Sequence, residues 1–170
     1  MVEEVEAKAA ARIARAWDAI ARVEDPEIPV ISIVDLGIVR YIEAGRDRAL
    51  EVGLSPTYTG CPATEVIRRL VESALREADV GDFAVKTVLA PAWSSDWITP
   101  GGRRKLLAYG IVPPENSVAF REWRHVGGPV ACPRCRSVET EVLSEFGSTP
   151  CKALHRCNAC LEPFDYFKCI

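Results

Sequence analysis

The sequence predicts an α+β fold in which a small sheet carries helices on one face, followed by a smaller cysteine-rich β subdomain. The first observation is that segments of helical periodicity alternate with short segments of strand periodicity over most of the chain. The second is that six of the seven cysteines lie after residue 130, where large apolar side chains are few. We therefore predict two domains, residues 1–118 and residues 119–170.

The first element is an amphipathic helix. From Glu3 to about Ala21, apolar residues recur every three or four positions, and the first turn is acidic, which suits the electropositive end of a helix. The helix cannot continue through residues 25–29, because Pro26 and Pro29 each remove a backbone donor and push the preceding residue out of helical geometry.

A hairpin follows the proline-rich turn. Two short alternating runs, from Ile38 to Glu43 and from Arg48 to Leu54, flank a glycine-containing turn at residues 44–47, and this pattern is typical of paired antiparallel strands. The alternation places Leu50 and Val52 on the same face as Leu54.

The remaining elements of the first domain are a helix, a strand and a second short helix. An apolar stripe from Val66 to Leu75 predicts the first of these helices, with Pro62 as its first residue and Cys61 as its N-cap. Residues 83–90 predict a third strand, residues 93–97 a loop, and residues 99–110 a helix that starts with a threonine cap and a proline and stops at a glycine.

Composition excludes several classes of protein. With 48% hydrophobic and 26% charged residues among 170, the chain resembles an ordinary globular protein. No apolar run approaches the roughly 20 residues that span a bilayer, and the first residues lack the apolar core of a secretory signal, so we expect a cytoplasmic protein with no membrane partner. The net charge of −3 gives no electrostatic basis for binding nucleic acid. Basic clusters at residues 103–105 and at Arg121 and Arg124 are interpreted as solvated surfaces.

Four of the late cysteines form two C-x2-C pairs, Cys132 with Cys135 and Cys157 with Cys160, separated by 21 residues. Two thiolates three residues apart in a tight turn can point at one ion about 2.3 Å away, and two such turns facing each other complete a tetrahedron. The spacing is slightly longer than in most zinc ribbons. The pattern predicts a zinc-ribbon-like subdomain with a closed, structural site of four thiolates.

Zinc is the predicted occupant, with iron or an iron-sulfur cluster as the alternative, because four cysteines serve both. A segment this short cannot bury enough apolar surface to order itself, whereas structural zinc contributes about 10–16 kcal/mol. Either Cys151 or Cys169 can replace a paired ligand, form a second partial site or stay unligated, and Cys151 is kept as an additional candidate. His125 and His155 are interpreted as packing or surface residues.

Cys61 stands alone in the first domain, at the start of a predicted helix where unpaired N–H groups favour an anion. The helix dipole alone supplies only about 0.3–1 kcal/mol, so Cys61 needs a cation or a metal to act as a strong nucleophile. Asp25, Glu27 and Asp35 lie in a stretch that can approach it, and carboxylates with a thiolate suit a transient metal site. The alternatives are a turn at Asp25, a cap at Asp35 and a small buried side chain at Cys61.

Two motifs in the first domain resemble the SufT-like family of iron-sulfur assembly factors. They are DPEIP at residues 25–29 with SIVDLGIV at residues 32–39, and TYTGCP at residues 57–62. A closer resemblance, to the PaaD family of accessory proteins encoded with the phenylacetyl-CoA epoxidase, rests on DWITP at 96–100, GIVPP at 110–114, FGSTPCKAL at 146–154 and CLEPFDYFKC at 160–169. Together these motifs cover nearly the whole chain.

The resemblance implies an accessory or maturation role in phenylacetate degradation rather than catalysis. It also implies a shared site for handling iron or an iron-sulfur cluster, including transient iron at the thiol. That site comprises Asp25, Glu27, Asp35, Thr57 and Cys61. The epoxidase has a di-iron oxygenase component and a reductase with flavin and an iron-sulfur centre, and both are expected partners; a homo-oligomer is also compatible with the sequence.

Three functions follow from these features. The first is a maturation factor that delivers or inserts metal for the oxygenase system. The second is a structural subunit whose ribbon docks on the oxygenase or the reductase without metal transfer. The third, a thiol-dependent enzyme acting on a CoA ester, is poorly supported, because no histidine lies within thirty residues of Cys61.

Overall fold

A computed structural model gives the structure of the protein and describes residues 2–45, 47, 49–58, 60–114 and 130–168. The chain divides into two compact units, Met1–Trp93 and Ser94–Ile170. The division into units falls before the domain boundary that the sequence predicts at residues 118–119. That predicted boundary lies outside the described residues and stays a prediction.

The first unit contains two helices and a three-stranded sheet. Its elements are α1 (Val2–Ile20), β1 (Val39–Ala44), β2 (Leu50–Leu54), α2 (Ala63–Glu77) and β3 (Phe83–Thr87). The sheet order is β1-β2-β3, with β1 antiparallel and β3 parallel to β2, so α2 is the crossover that a parallel pair requires. This confirms the predicted order of helix, strand, strand, helix and strand.

The core of this unit lies between the sheet and the two helices. The predicted face of β2 is confirmed, because Leu50, Val52 and Leu54 are all buried. Apolar residues three to four positions apart on each helix are buried as well, as a helical period requires. They are Ala16, Ala19 and Ile20 on α1, and Ala63, Ile67, Val71 and Leu75 on α2.

Two details of the prediction are corrected. The helix α2 begins at Ala63, and its cap position is Pro62 rather than Cys61, with φ −65°, ψ −25° and no side-chain cap. Proline has this φ both at the cap position and at the first helical position, so the sequence alone does not show which of the two positions Pro62 takes. The strand β3 ends at Thr87, three residues before the predicted end at residue 90. The N–H of Val88 still donates to the carbonyl of Leu54 at 2.7 Å, but β2 ends at Leu54 and offers no further residues for pairing.

On the other face of the sheet, Gly53 lies beneath the ring of Tyr41, where a Cβ atom would be 2.4 Å from Cε1 of the ring. The ring is held in place because its hydroxyl donates to Oε1 of Glu51 at 2.8 Å. We expect Gly53→Ala to lower the free energy of unfolding by about 1–3 kcal/mol, as overpacking does. Urea denaturation measures this loss.

The control is the same substitution in a Tyr41→Ala background, where the clashing ring is gone. There we expect Gly53→Ala to be neutral or stabilising, since alanine has the lower conformational entropy in the unfolded chain. Equal losses in both backgrounds would contradict the proposed clash between position 53 and the ring.

The second unit begins with a short 3-10 helix, Ser95–Trp97, within the predicted loop. It continues with α3 (Pro100–Ala108), β4 (Ile111–Val112), β5 (Thr140–Ser144), β6 (Lys152–Cys157) and β7 (Pro163–Phe167). The threonine cap of α3 is confirmed, because Oγ1 of Thr99 accepts from the N–H of Gly102 at 2.9 Å. The sheet order is β4-β7-β6-β5, with β4 parallel to β7, so residues 111–112 join the sheet of the cysteine-rich segment.

These two units confirm the predicted fold class, a small α+β sheet domain with a C-terminal ribbon of antiparallel strands. Among the helices of the described residues, none combines the length and apolar character needed to cross a bilayer.

Candidate functional site

The two C-x2-C pairs lie in two turns with the same backbone geometry. In each turn the carbonyl of the first cysteine accepts from the residue four positions later, at 2.9 Å from Arg136 to Cys132 and at 2.9 Å from Leu161 to Cys157. That fourth residue has a positive φ, 63° at Arg136 and 62° at Leu161. The chain thus bends sharply after each pair, which directs both thiols of a pair to one side.

The turns bring four sulfurs together. Sγ of Cys132 lies 3.7 Å from Sγ of Cys160, and Sγ of Cys135 lies 3.5 Å from Sγ of Cys157. All four sulfurs are within 4.8 Å of one another. Thiolates about 2.3 Å from a single ion stand roughly 3.8 Å apart in a tetrahedron. The quartet therefore has the geometry to hold one ion, and the same donors fit zinc or a single iron.

The ionisation of the quartet shows why it needs a cation. A backbone hydrogen bond from Cys160 is the largest influence that lowers the pKa of the Cys157 thiol, to about 7. At Cys160 the backbone N–H of Glu162 acts in the same direction, but burial and the neighbouring sulfurs outweigh it and raise the pKa to about 12. Four adjacent thiols therefore do not all ionise by themselves, and a bound cation removes the repulsion.

Packing and charge reinforce the quartet. Cys132 and Cys157 are buried in a small core with Val130, Phe164 and Tyr166, so the ligands belong to the hydrophobic centre of the ribbon. At the surface, an ion pair between Arg134 and Glu162 joins the two turns. The carboxylate of Glu162 and the nearby sulfurs raise the pKa of Arg134.

The other sulfur and imidazole candidates lie apart from the quartet. Cys151 is buried, with its Sγ 3.0 Å from Oγ1 of Thr149, and it is not a member of the group of four. His155 is buried between the rings of Phe164 and Tyr166, with ring centroids 5.6 and 5.4 Å away, as a packing residue would be. His125, Cys169, Arg121 and Arg124 lie outside the described residues.

In the first unit, the side chain of Asp25 stabilises a turn. Its carboxylate is buried, and Oδ1 accepts from the N–H groups of Glu27 and Ile28, both at 2.9 Å. This is the turn that the sequence offered as the alternative to a metal ligand. Asp25 also lines an open groove of about 790 Å³ with residues 70, 73, 74 and 77 of the C-terminal half of α2 and with residue 78 just after it, whereas Cys61 precedes the N-terminus of that helix.

Three of the predicted residues lie on chain segments that flank one end of the β1–β2 pair. The N–H of Ser55, just after β2, donates to the carbonyl of Ile38, just before β1, at 2.8 Å. Asp35 precedes Ile38 along the chain, and Thr57 and Cys61 follow Ser55. Thr57 is buried, while Asp35 and Cys61 are partly exposed. The segments that carry the carboxylate and the hydroxyl therefore start from the same end of the sheet, and the convergence of the three side chains stays a prediction.

Across the part of the chain that the structure describes, the cysteine quartet is the one group in which three or more cysteine, histidine or acidic side chains converge. The assignment of Asp25, Glu27, Asp35, Thr57 and Cys61 as a metal-handling site stays a prediction.

The sequence did not indicate a structural role for Trp93. Its buried indole N–H donates to the carbonyl of Leu36 at 3.0 Å, which ties the segment after β3 to the segment that carries Asp35. A tryptophan in a predicted loop gives no sign of a hydrogen-bond partner 57 residues away.

Comparisons with known proteins agree with this two-part arrangement. Residues 13–89 match a family model described as iron-sulfur cluster assembly protein, and residues 120–168 match one described as PaaD zinc beta ribbon domain. The chain is 46% identical over 154 residues to an Escherichia coli protein described as a putative subunit of 1,2-phenylacetyl-CoA epoxidase, and the match covers 91% of each chain. The chain belongs to the PaaD family.

Two further relatives match a little more than half of the chain. The chain is 34% identical over 94 residues to the Fe-S protein maturation auxiliary factor YitW of Bacillus subtilis, which covers 55% of this chain and 88% of that protein. A crystal structure of a domain of unknown function from Bacillus anthracis matches with a TM-score of 0.52 and 25% identity, covering 57% of this chain and 92% of that one. A match to little more than half of this chain thus covers about nine-tenths of each of these two relatives.

Proposed function

We propose that this protein is an accessory factor that loads iron or an iron-sulfur cluster into the oxygenase or reductase component of a phenylacetyl-CoA epoxidase. The observation that carries the proposal is the similarity over 91% of the chain to a protein described as a putative part of that epoxidase, together with the similarity of the first unit to an Fe-S maturation factor. The protein itself then needs no catalytic residues for the epoxidation.

In this proposal the ribbon has a structural metal. Cys132, Cys135, Cys157 and Cys160 hold one zinc ion in a closed site, which leaves no position for a substrate. The burial of two of these cysteines in the ribbon core supports this role, because the ion and the core then order the same segment.

In this proposal, iron is handled by residues near one end of the first sheet. Cys61 supplies a partly exposed sulfur ligand, and the partly exposed Asp35 and the buried Thr57 supply oxygen donors. Few ligands and partial exposure suit metal that must be released again, whereas a closed set of four thiolates retains it. Asp25 and Glu27 lie in the turn at residues 25–29, where the carboxylate of Asp25 fixes the backbone, and their part in metal handling rests on the shared motif rather than on a contact with Cys61.

Producing the epoxidase with the wild-type factor, with Cys61→Ser and without the factor tests this assignment. We expect the iron content and the activity of the purified components to fall in the last two preparations. Cys151→Ser, which removes a buried thiol of the second unit, is the control and should leave iron loading unchanged. Equal iron content in every preparation would rule out iron delivery.

The same preparations separate the alternative of a docking subunit. That function requires a stable stoichiometric complex with the oxygenase or reductase and tolerates Cys61→Ser. Elemental analysis of the isolated protein distinguishes the two ribbon metals, since about one equivalent of zinc without visible absorption excludes iron there.

A further inference from the structure

The strand β5 is the outermost strand of the second sheet, and none of the described residues forms a strand on its far side. Asn158 donates to the carbonyl of Glu139 at 2.7 Å, and the ladder pairs Glu141 with Arg156. Backbone groups alternate in direction along an antiparallel strand. The N–H and C=O of Val142 therefore point outward, away from β6, and are available to another strand.

Several side chains along and beside this edge are both apolar and exposed. Four of them, each about half exposed or more, are Val138, Val142, Leu143 and Phe146. Edge strands are usually protected by a free charge or a bulge. Here the carboxylate of Glu141 is paired with Arg156, whose Nε lies 3.0 Å from it, and the irregularity in the pairing lies beyond Val142, at Leu143. The regular part of the edge, up to Val142, is therefore the part that can accept another strand.

Acidic side chains mark both ends of the same edge. Glu139 and Glu145 are exposed, and neither carboxylate is paired with a cation among the described residues. The ammonium of Lys168 donates to the backbone carbonyl of Glu145 at 3.1 Å and lies over the ring of Phe146. The edge therefore combines an apolar centre with a carboxylate three residues away on either side.

We propose that β5 binds an extended segment of a partner protein by strand addition, and that this segment has apolar residues at its centre and lysine or arginine on both sides. Main-chain hydrogen bonds supply affinity in such complexes, and side-chain pairs supply specificity. A second copy of the chain fits poorly, because antiparallel self-pairing centred on Val142 sets Glu139 opposite Glu145, and like charges directly opposite are destabilising. The inference rests on the proposed function only for the identity of the client.

The test uses the full-length, zinc-loaded protein and two synthetic extended peptides with alternating central valines, one with lysines at both ends and one with glutamates. We expect the lysine peptide to bind at least about tenfold more tightly, with the difference shrinking at high salt. We also expect the amide of Val142 to exchange with deuterium at least about tenfold more slowly in the complex, because it becomes hydrogen-bonded.

Variants identify the surface. Val142→Pro removes the outward N–H and should abolish binding, and Glu139→Lys combined with Glu145→Lys should reverse the preference between the peptides. Leu107→Lys on α3 is the matched control, because Leu107 and Val142 are both 48% exposed, and should bind normally. If Val142→Pro loses zinc, Leu143→Lys replaces it as the test variant, with the same expected loss of peptide binding.

Three results would overturn the inference: equal binding of both peptides, binding that survives these changes in β5, or dimerisation through β5 without peptide. None of them bears on iron loading, which the Cys61 experiment measures separately.

Discussion

Replacing Cys132 with serine is expected to abolish stoichiometric zinc binding and to unfold the ribbon. Cys132 contributes one of four sulfurs that lie within 4.8 Å of one another and is buried in the ribbon core. Three remaining thiolates give an open, weaker site, and structural zinc typically contributes about 10–16 kcal/mol to such a fold. Zinc content by elemental analysis and protease sensitivity of residues 130–168 measure the loss.

Cys151→Ser is the matched control, because Cys151 is also buried in the ribbon segment but lies outside the quartet. We expect it to keep about one equivalent of zinc and to resist protease as the wild type does. Loss of zinc from Cys151→Ser, or retention of zinc by Cys132→Ser, would contradict the ligand assignment.

Replacing Trp93 with alanine is expected to lower the free energy of unfolding of the first unit by about 3–5 kcal/mol. The side chain is buried, so its removal leaves a cavity, and its N–H bond to the carbonyl of Leu36 is lost as well. Trp93→Phe keeps most of the ring but leaves that carbonyl without its donor, which we expect to cost about 1–3 kcal/mol. Urea denaturation of both variants separates volume from hydrogen bonding.

Leu89 provides the control for this segment, because it is 61% exposed. Leu89→Ala should change the free energy of unfolding by less than about 0.5 kcal/mol. If Trp93→Ala lowers the free energy of unfolding no more than Leu89→Ala does, then Trp93 does not stabilise the contact between the segment after β3 and the segment before β1.

The ligands of the ribbon site could be predicted from the sequence, whereas the residues of the proposed iron site could be predicted only in part. The four cysteines were identifiable because the two cysteines of each pair lie in one tight turn, and because four thiolates together are a typical ligand set for a structural metal ion. At the other site, the motif at residues 25–29 gave no way to tell a ligand from a turn. The carboxylate of Asp25 accepts two backbone N–H groups, and this depends on how the chain folds around it.

Features that depend only on neighbouring residues could be predicted from the order of residues: the period of α1, the hairpin of β1 and β2, the cap of α3 at Thr99 and the two cysteine turns. Periodicity, capping and turn chemistry are local, so they appear directly in the order of residues.

Features that join distant segments could be seen only in the folded structure. These are the addition of β4 to the ribbon sheet, the bond from Trp93 to Leu36, the fit of Gly53 beneath Tyr41 and the bond from Ser55 to Ile38 at the end of the first sheet. Each depends on non-local pairing, whose partner is set by the packing of the whole unit and leaves no local pattern in the chain.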